Sequence, residues 1–276
     1  MSSYSHVLVG TDGSATAACA VEAAVTVARS LEATLTVATA WYRHLPDAPP
    51  PSEAVEYPGG NPAAHEVRWA EQTANDAAAR ARAAGVADAR PATPEGHPAE
   101  ALLELSERKP DTLIVVGTAG LTDRTERLLG NIPHQVTHHA LRDVLLVHTT
   151  DCTGGYAWER IGLATDGSDT AASAVAHGVG FAEALGGEPV LLTAAKDRTS
   201  GEAILDRAAA ELGSDIGREV VVGESIVDAL VGGAGGFDLL VLGNKGMSGP
   251  SRLLGSIANS VTHALPTDLL LVNTTR

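Results

Sequence analysis

The chain has 276 residues and a mass of 28.2 kDa, enough for two domains of ordinary size and for a sizeable core. Apolar residues make up 44% but aromatics only 3%, which points to Ala, Val and Leu packed in α/β layers and away from an aromatic-rich sandwich. With 19 basic against 34 acidic residues, a net charge of −15 and no run of Lys or Arg, the sequence argues against nucleic-acid or anionic-membrane binding as a main activity.

His6 to Gly10 is a short apolar run ending in Thr-Asp-Gly-Ser, which predicts a buried strand, a tight turn and a helix capped by Ser14. Ala17, Val21, Ala24, Val25 and Ala28 then recur at helical spacing, and Thr34 to Ala40 reads as a β-branched strand. Arg43 to Pro62 is rich in Pro, Gly and acidic residues and reads as a long loop. Trp41 and Tyr42 open it, either as a lid or as an anchor. Glu66 to Ala84 reads as an Ala-rich helix ended by Gly85, followed by a weak strand within Val86 to Ala92. Pro98 to Glu107 is a helix with Pro at its opening, Thr112 to Val116 an apolar strand, Ile132 to Leu141 a helix, and Asp143 to His148 a fifth strand.

The plan then repeats. HVLVGTDGSATAACAV from His6 aligns with RIGLATDGSDTAASAV from Arg160 at an offset of 154 residues, held through Ala40 and Ala194. VVGTAG aligns with VLGNKG, and VTHHALRDVLLVHTT with VTHALPTDLLLVNTT, at offsets of 126 and 125. Two units are therefore expected, residues 1–149 and 159–276, with a linker at 150–158. Alternating strands and helices with continuous apolar strands predict a parallel sheet covered on both faces in each unit. Ligands of such sheets lie outside the carboxyl ends of the strands, where the strand order reverses.

After the fourth strand the first unit reads GTAGLTDRTERLLGNIP and the second GNKGMSGPSRLLGSIAN. Gly117, Gly120 and Gly130, and Gly243, Gly246 and Gly255, let backbone amides approach phosphate oxygens. Gly130 and Gly255 each open a helix whose unpaired amides form an anion site, to which Asn131 or Ser256 adds a side chain. Arg124, Arg127 and Arg252 would neutralise phosphate, and Asp12 and Asp166 would accept hydrogen bonds from a ribose or an adenine amine. The competing readings are a plain turn and helix start for the Asp residues, and tight-turn chemistry for the glycines.

With T-D-G-S and this glycine spacing in both halves, the whole chain resembles tandem-domain members of the universal stress protein family, in its ATP-binding subgroup. The resemblance implies two Rossmann-like (adenine nucleotide alpha hydrolase-like) domains, each a five-stranded parallel sheet of order 3-2-1-4-5 with helices on both faces. It implies ATP, with Mg²⁺, one potential site per domain. Adenine and ribose would lie near Thr11, Asp12, Ala40 and Val116, and phosphates near Gly117, Gly120, Arg127, Gly130, Asn131 and Ile132. The second set is Thr165, Asp166, Ala194, Leu242, Gly243, Gly246, Arg252, Gly255, Ser256 and Ile257. Two departures from the family pattern are Asn131, in place of a hydroxyl residue, and a second loop one residue shorter.

The expected role is a nucleotide-dependent regulator of a stress or growth-arrest response, acting on an unidentified regulatory protein. Neither a P-loop nor an S-G-G-x-D-S loop is present, so enzymology ranks low, at most a slow ATPase. The alternative is a nucleotide-independent scaffold in which the apolar fifth strands, VLLVHT and LLLVNT, pair the two halves, with two chains then associating as a homodimer through sheet edges or helices. His134 and His138 sit four apart on one helix, with His139 beside them, but without carboxylate or Cys partners they read as partly exposed helix histidines and not metal ligands. Only Cys19 and Cys152 are present, so no disulfide framework is expected. Cys19 reads as packing on a helix face and Cys152 as an exposed linker residue. The absence of a leader or membrane span suggests a soluble cytoplasmic protein.

Overall fold

The computed structural model describes residues 4–42, 62–118, 131–148, 152, 155–213, 215–244 and 255–274. The first half runs β1 (His6–Gly10), α1 (Ala15–Ser30), β2 (Thr34–Ala38), α2 (Pro62–Ala83), β3 (Ala89–Ala92), α3 (Pro98–Glu107), β4 (Thr112–Gly117), α4 (Asn131–His139) and β5 (Asp143–Val147). The second half repeats it with β6 (Arg160–Ala164), α5 (Asp169–Leu185), β7 (Glu188–Ala195), α6 (Arg198–Leu212), β8 (Gly217–Val222), α7 (Ile226–Ala234), β9 (Leu239–Asn244), α8 (Ser256–Ala264) and β10 (Asp268–Asn273). Helix α2 opens at Pro62, the last residue of the stretch read as a loop, in the first-turn position where a missing N–H costs nothing, and the rest of that stretch, 43–61, lies outside the described residues.

All ten strands form one sheet of order β3-β2-β1-β4-β5-β10-β9-β6-β7-β8, which is 3-2-1-4-5 read outward-in twice. Every pairing within a half is parallel, and β5 with β10 is antiparallel, Leu145 opposite Leu270. The apolar fifth strands are thus each other's partners within one chain. Alternation along each strand divides the interior into two layers. Val7, Val9, Leu113, Val115, Leu145 and Leu270 face the layer under α1, α2, α5 and α6, while Leu8, Ile114, Leu146 and Leu271 face the layer under α3, α4, α7 and α8. Burying each of these Leu, Ile or Val side chains contributes roughly 1.5–3 kcal/mol. The near absence of aromatics is met by close approach: a Cβ on Gly178 of α5 would lie 2.7 Å from Leu163 and 3.1 Å from Val241.

A reciprocal polar seam flanks β5 and β10. Asp143 Oδ2 accepts from Tyr4 Oη at 2.6 Å and its Oδ1 from the Asn273 N–H at 2.8 Å. Asp268 Oδ2 accepts from Tyr156 Oη at 2.6 Å and Trp158 Nε1 at 2.7 Å, and its Oδ1 from the His148 N–H at 2.6 Å. Each carboxylate at the start of a fifth strand therefore holds the backbone at the end of the other one. Burial pushes the Asp268 carboxyl above the usual carboxylate range, against the pull of its three donors, and burial beside Asp268 pushes the Tyr156 phenol upward.

The cysteines correct the sequence expectation. Cys19 and Cys152, 133 residues apart, form a disulfide. Cys19 is buried in α1 as expected, but Cys152 is partly buried against the same core, because the described part of the linker lies along α1. No helix among the described residues is long and apolar enough to cross a membrane.

Candidate functional site

The strand order reverses between β1 and β4 in the first half and between β6 and β9 in the second, opening a crevice at the carboxyl ends of those strands. Val9 lies opposite Val115 and Leu163 opposite Val241, so the Thr-Asp turn and the strand-four glycine (Gly117 or Gly243) leave neighbouring strands at one level in both halves.

The turns are built alike. The Thr11 N–H donates to Ala38 O at 2.9 Å and the Thr165 N–H to Leu192 O at 2.9 Å, extending the pairing with strand two by one bond. Thr11 Oγ1 accepts from the Gly13 N–H at 3.2 Å, and Thr165 Oγ1 from the Gly167 N–H at 3.1 Å. Both glycines have positive φ, 76° and 78°, the region in which a side chain is strained. Asp12 Oδ1 accepts from the Ser14 N–H at 3.0 Å and from Ser14 Oγ at 2.6 Å, while Asp166 Oδ1 accepts from the Ser168 N–H at 2.9 Å. Ser14 and Ser168 then cap α1 and α5 by accepting from Ala17 N and Ala171 N at 3.1 and 3.2 Å. Both Asp residues thus hold a turn, Asp12 half-buried and Asp166 exposed.

Ala40 follows β2 and Ala194 lies in β7, both half-buried, beside the crevice wall. Val116 and Gly117 end β4, and Leu242 and Gly243 lie near the end of β9. A Cβ on Gly243 would meet Ala174 at 3.1 Å and the Thr170 carbonyl at 3.3 Å, so this glycine keeps α5 close to β9. Asn131 and Ile132 open α4, and Ser256 and Ile257 open α8, all exposed. The β4-α4-β5 and β9-α8-β10 crossovers put these helix starts at the same end of the sheet as the Thr-Asp turns. Asn131 Oδ1 accepts from Gln135 Nε2 at 2.8 Å. Gly255 is the N-cap of α8, and a Cβ there would meet nothing within 4 Å among the described residues. Gly120, Arg124, Arg127, Gly130, Gly246 and Arg252 lie outside the described residues.

Two residues that the motif does not single out also shape the crevices. Asn244, buried after the β9 glycine, accepts the Gly255 N–H on Oδ1 at 3.3 Å and so ties the start of α8 to the end of β9. Thr39, 1% exposed, has no hydrogen-bond partner for Oγ1 among the described residues, whereas its repeat equivalent Thr193 donates to Thr165 O at 2.7 Å. The sequence signal for the pair was their shared place in the 154-residue offset. Trp41 anchors its segment: its N–H donates to Pro94 O at 3.1 Å, its carbonyl accepts from the Gly96 N–H at 2.8 Å, and its indole donates to Thr93 O at 3.2 Å. Tyr42 is exposed.

The histidines join the halves. The rings of His134 and His138 lie 4.3 Å apart and His263 meets His134 edge-on at 5.5 Å, while His138 Nε2 is 3.0 Å from Asn259 Oδ1. Burial and then the neighbouring His138, His263 and His139 hold the His134 imidazole below its usual pKa. Among the described residues no three His, Cys, Asp or Glu are arranged to hold a metal.

A search of the solved structures finds a universal stress protein from Archaeoglobus fulgidus with a TM-score of 0.70 over 98% of both chains, at 18% identity, a likeness of fold. A universal stress protein solved in complex with cAMP is 33% identical, covers 54% of this chain and 100% of its own, and has a TM-score of 0.42. A universal stress protein of Mycobacterium tuberculosis is 36% identical over 154 residues, 54% of this chain and 100% of the relative. The Usp model, described as the universal stress protein family, matches residues 3–148, more than half of the sequence, and the chain belongs to that family.

Proposed function

We propose that the chain is an adenine-nucleotide-binding regulator, with one ATP site in each of the units 1–149 and 159–276, and that occupancy alters the surface met by a regulatory protein in a stress or growth-arrest response. One observation carries this reading. In both halves the Thr-Asp turn and the strand-four glycine leave adjacent parallel strands at the reversal of strand order, at the end of the sheet where α4 or α8 begins.

Some of the described residues support this reading. Asn131 and Ser256 stand exposed at helix starts, where unpaired amides favour an anion. Asn131 would donate through Nδ2, its Oδ1 being taken by Gln135. Asp12 and Asp166 would receive ribose hydroxyls at the opposite wall. Mg²⁺ would come with the phosphates and offset the repulsion from a chain of net charge −15.

The test is a calorimetric titration of nucleotide-stripped protein with ATP and Mg²⁺, with cAMP as a second titrant. About two sites per chain are expected, and Asp12→Ala or Asp166→Ala should weaken one of them about tenfold, ~1.4 kcal/mol. Folded protein that binds neither nucleotide overturns the proposal.

A further inference from the structure

The only two cysteines of the sequence, 133 residues apart, are brought together. Cys19 lies in α1, which opens directly after the Thr11–Ser14 turn, and is 5% exposed. Cys152 is partly buried and the more accessible of the two. The linker is held at two further points: Tyr156 O accepts from Thr26 Oγ1 at 3.0 Å, and Tyr156 Oη donates to Asp268. Cys19 and Thr26 are two helical turns apart, roughly 10 Å at a rise of about 1.5 Å per residue, a span that the four residues from Cys152 to Tyr156 can cover. The described part of the linker is therefore fastened to α1 covalently by Cys152 at Cys19 and by a hydrogen bond from Thr26 to Tyr156.

The second half has no such tether, since the repeat equivalent of Cys19 is Ser173, which is exposed. We infer that Cys19 and Cys152 are a reversible thiol–disulfide site for low-molecular-weight thiols and disulfides, and that its redox state sets how tightly the linker is held on α1 of the first half. The seam carboxylates join the halves without the sulfurs, so the reduced chain keeps its fold.

Exchange enters at Cys152. A thiolate RS⁻ attacks Cys152 Sγ, the Cys19–Cys152 bond breaks, RS–S–Cys152 forms, and the electron pair leaves on Cys19 Sγ, which takes a proton. A second RS⁻ attacks the mixed disulfide and releases RSSR and the Cys152 thiolate. Oxidation is the reverse, with RSSR as the two-electron oxidant. Expelling a thiolate into the apolar surroundings of Cys19 makes the first step the slow one.

The experiment uses the full chain in glutathione buffers from fully reduced to fully oxidised, acid-quenched, alkylated and read by peptide mass spectrometry, with hydrogen exchange of the same samples. Three results are expected: a glutathione adduct on Cys152 at least tenfold above any on Cys19, native circular dichroism in the reduced state, and at least tenfold faster exchange of α1 and of Tyr156–Trp158 on reduction, with α5 unchanged. Cys152→Ser should match the reduced wild type and no longer respond, and Cys19→Ala serves the same purpose should Cys152→Ser fail to fold. Free thiols persisting in folded protein under excess oxidised glutathione, equal exchange in both redox states, or adduct mainly on Cys19 would each overturn the inference.

Discussion

Where the first half buries His6, the second places Arg160 at the same step of the repeat. His6 is 4% exposed and spans two neighbouring strands, its ring nitrogens 3.0 Å from Thr112 Oγ1 and 2.8 Å from Thr36 Oγ1. Arg160 instead pairs with Glu219 at 2.9 Å, donates to Gly236 O at 2.8 Å and lies 4.3 Å over the Phe237 ring. One site depends on a neutral ring held in place by hydroxyls, the other on a permanent cation at the surface. The same backbone thus tolerates two polar solutions, and only the buried one is sensitive to protons. The seam shows the complementary case, because around the equivalent Asp143 and Asp268 the pairs Tyr4 and Trp158, and His148 and Asn273, keep one geometry with different side chains.

Cutting the seam should have the largest effect. Asp268→Ala strands three donors and is expected to cost about 4 kcal/mol in urea unfolding, with Asp143→Ala costing about 3 kcal/mol. Equal losses would show that the His177 imidazole, 3.7 Å from Asp143 Oδ2, matches the third donor on Asp268.

Acid should separate the halves next. Burial, with Lys109 adding to it, pushes the His6 imidazole down to about 4, so the unfolded chain takes up the proton first as pH falls. Stability contributed by neutral His6 is present above pH ~6.5 and lost on the way down to about 4, roughly 2–3 kcal/mol in all. Asp268 acts in the opposite sense, since its raised carboxyl is relieved by protonation. Hydrogen exchange corrected for intrinsic rates should show β1 and β4 opening in this window before β6 and β9, and His6→Gln should abolish the difference.

Helix-to-sheet packing offers a smaller contrast. Gly178, Leu163 and Val241 in the second half stand where the first has Ala24, Val9 and Val115, a smaller helix residue against a larger strand residue. Gly178→Ala should cost about 1–2 kcal/mol by overpacking, and Leu163→Val in the same chain should recover most of it. Thermal unfolding that shows Gly178→Ala stabilising would mean that α5 shifts freely.

The caps should not distinguish the halves. Ser14→Ala and Ser168→Ala are each expected to cost about 1 kcal/mol, because the two capping bonds have nearly equal geometry. A difference above ~0.5 kcal/mol in denaturant midpoints would show that the second bond from Ser14 to Asp12 strengthens one turn over the other.

The duplication, the strand and helix sequence and the place of the Thr-Asp turns, Gly117 and Gly243 at the reversal of strand order were legible in the residues. Periodicity and turn chemistry act over a few residues, and the repeat doubled each signal. Boundaries shifted by a few residues, as at Pro62 and at the start of β3, where neighbouring packing settles the ends. The linker glycines were legible as a break, but its course along α1 was not.

By itself the sequence determined the two α/β units, the layered Ala, Val and Leu core and the residue types at the reversal of strand order, because these follow from local pattern and chain chirality. Tertiary structure alone decided that Cys19 meets Cys152, that Asp143 and Asp268 exchange backbone partners across β5 and β10, that His6 is enclosed by Thr36 and Thr112, and that Asn244 holds the start of α8. Apart from the Asn244 contact, these pairs lie from 30 to 133 residues apart: those of His6 form when β1 pairs with β2 and β4, the others only once the halves and their linker have docked, and no local pattern encodes either event.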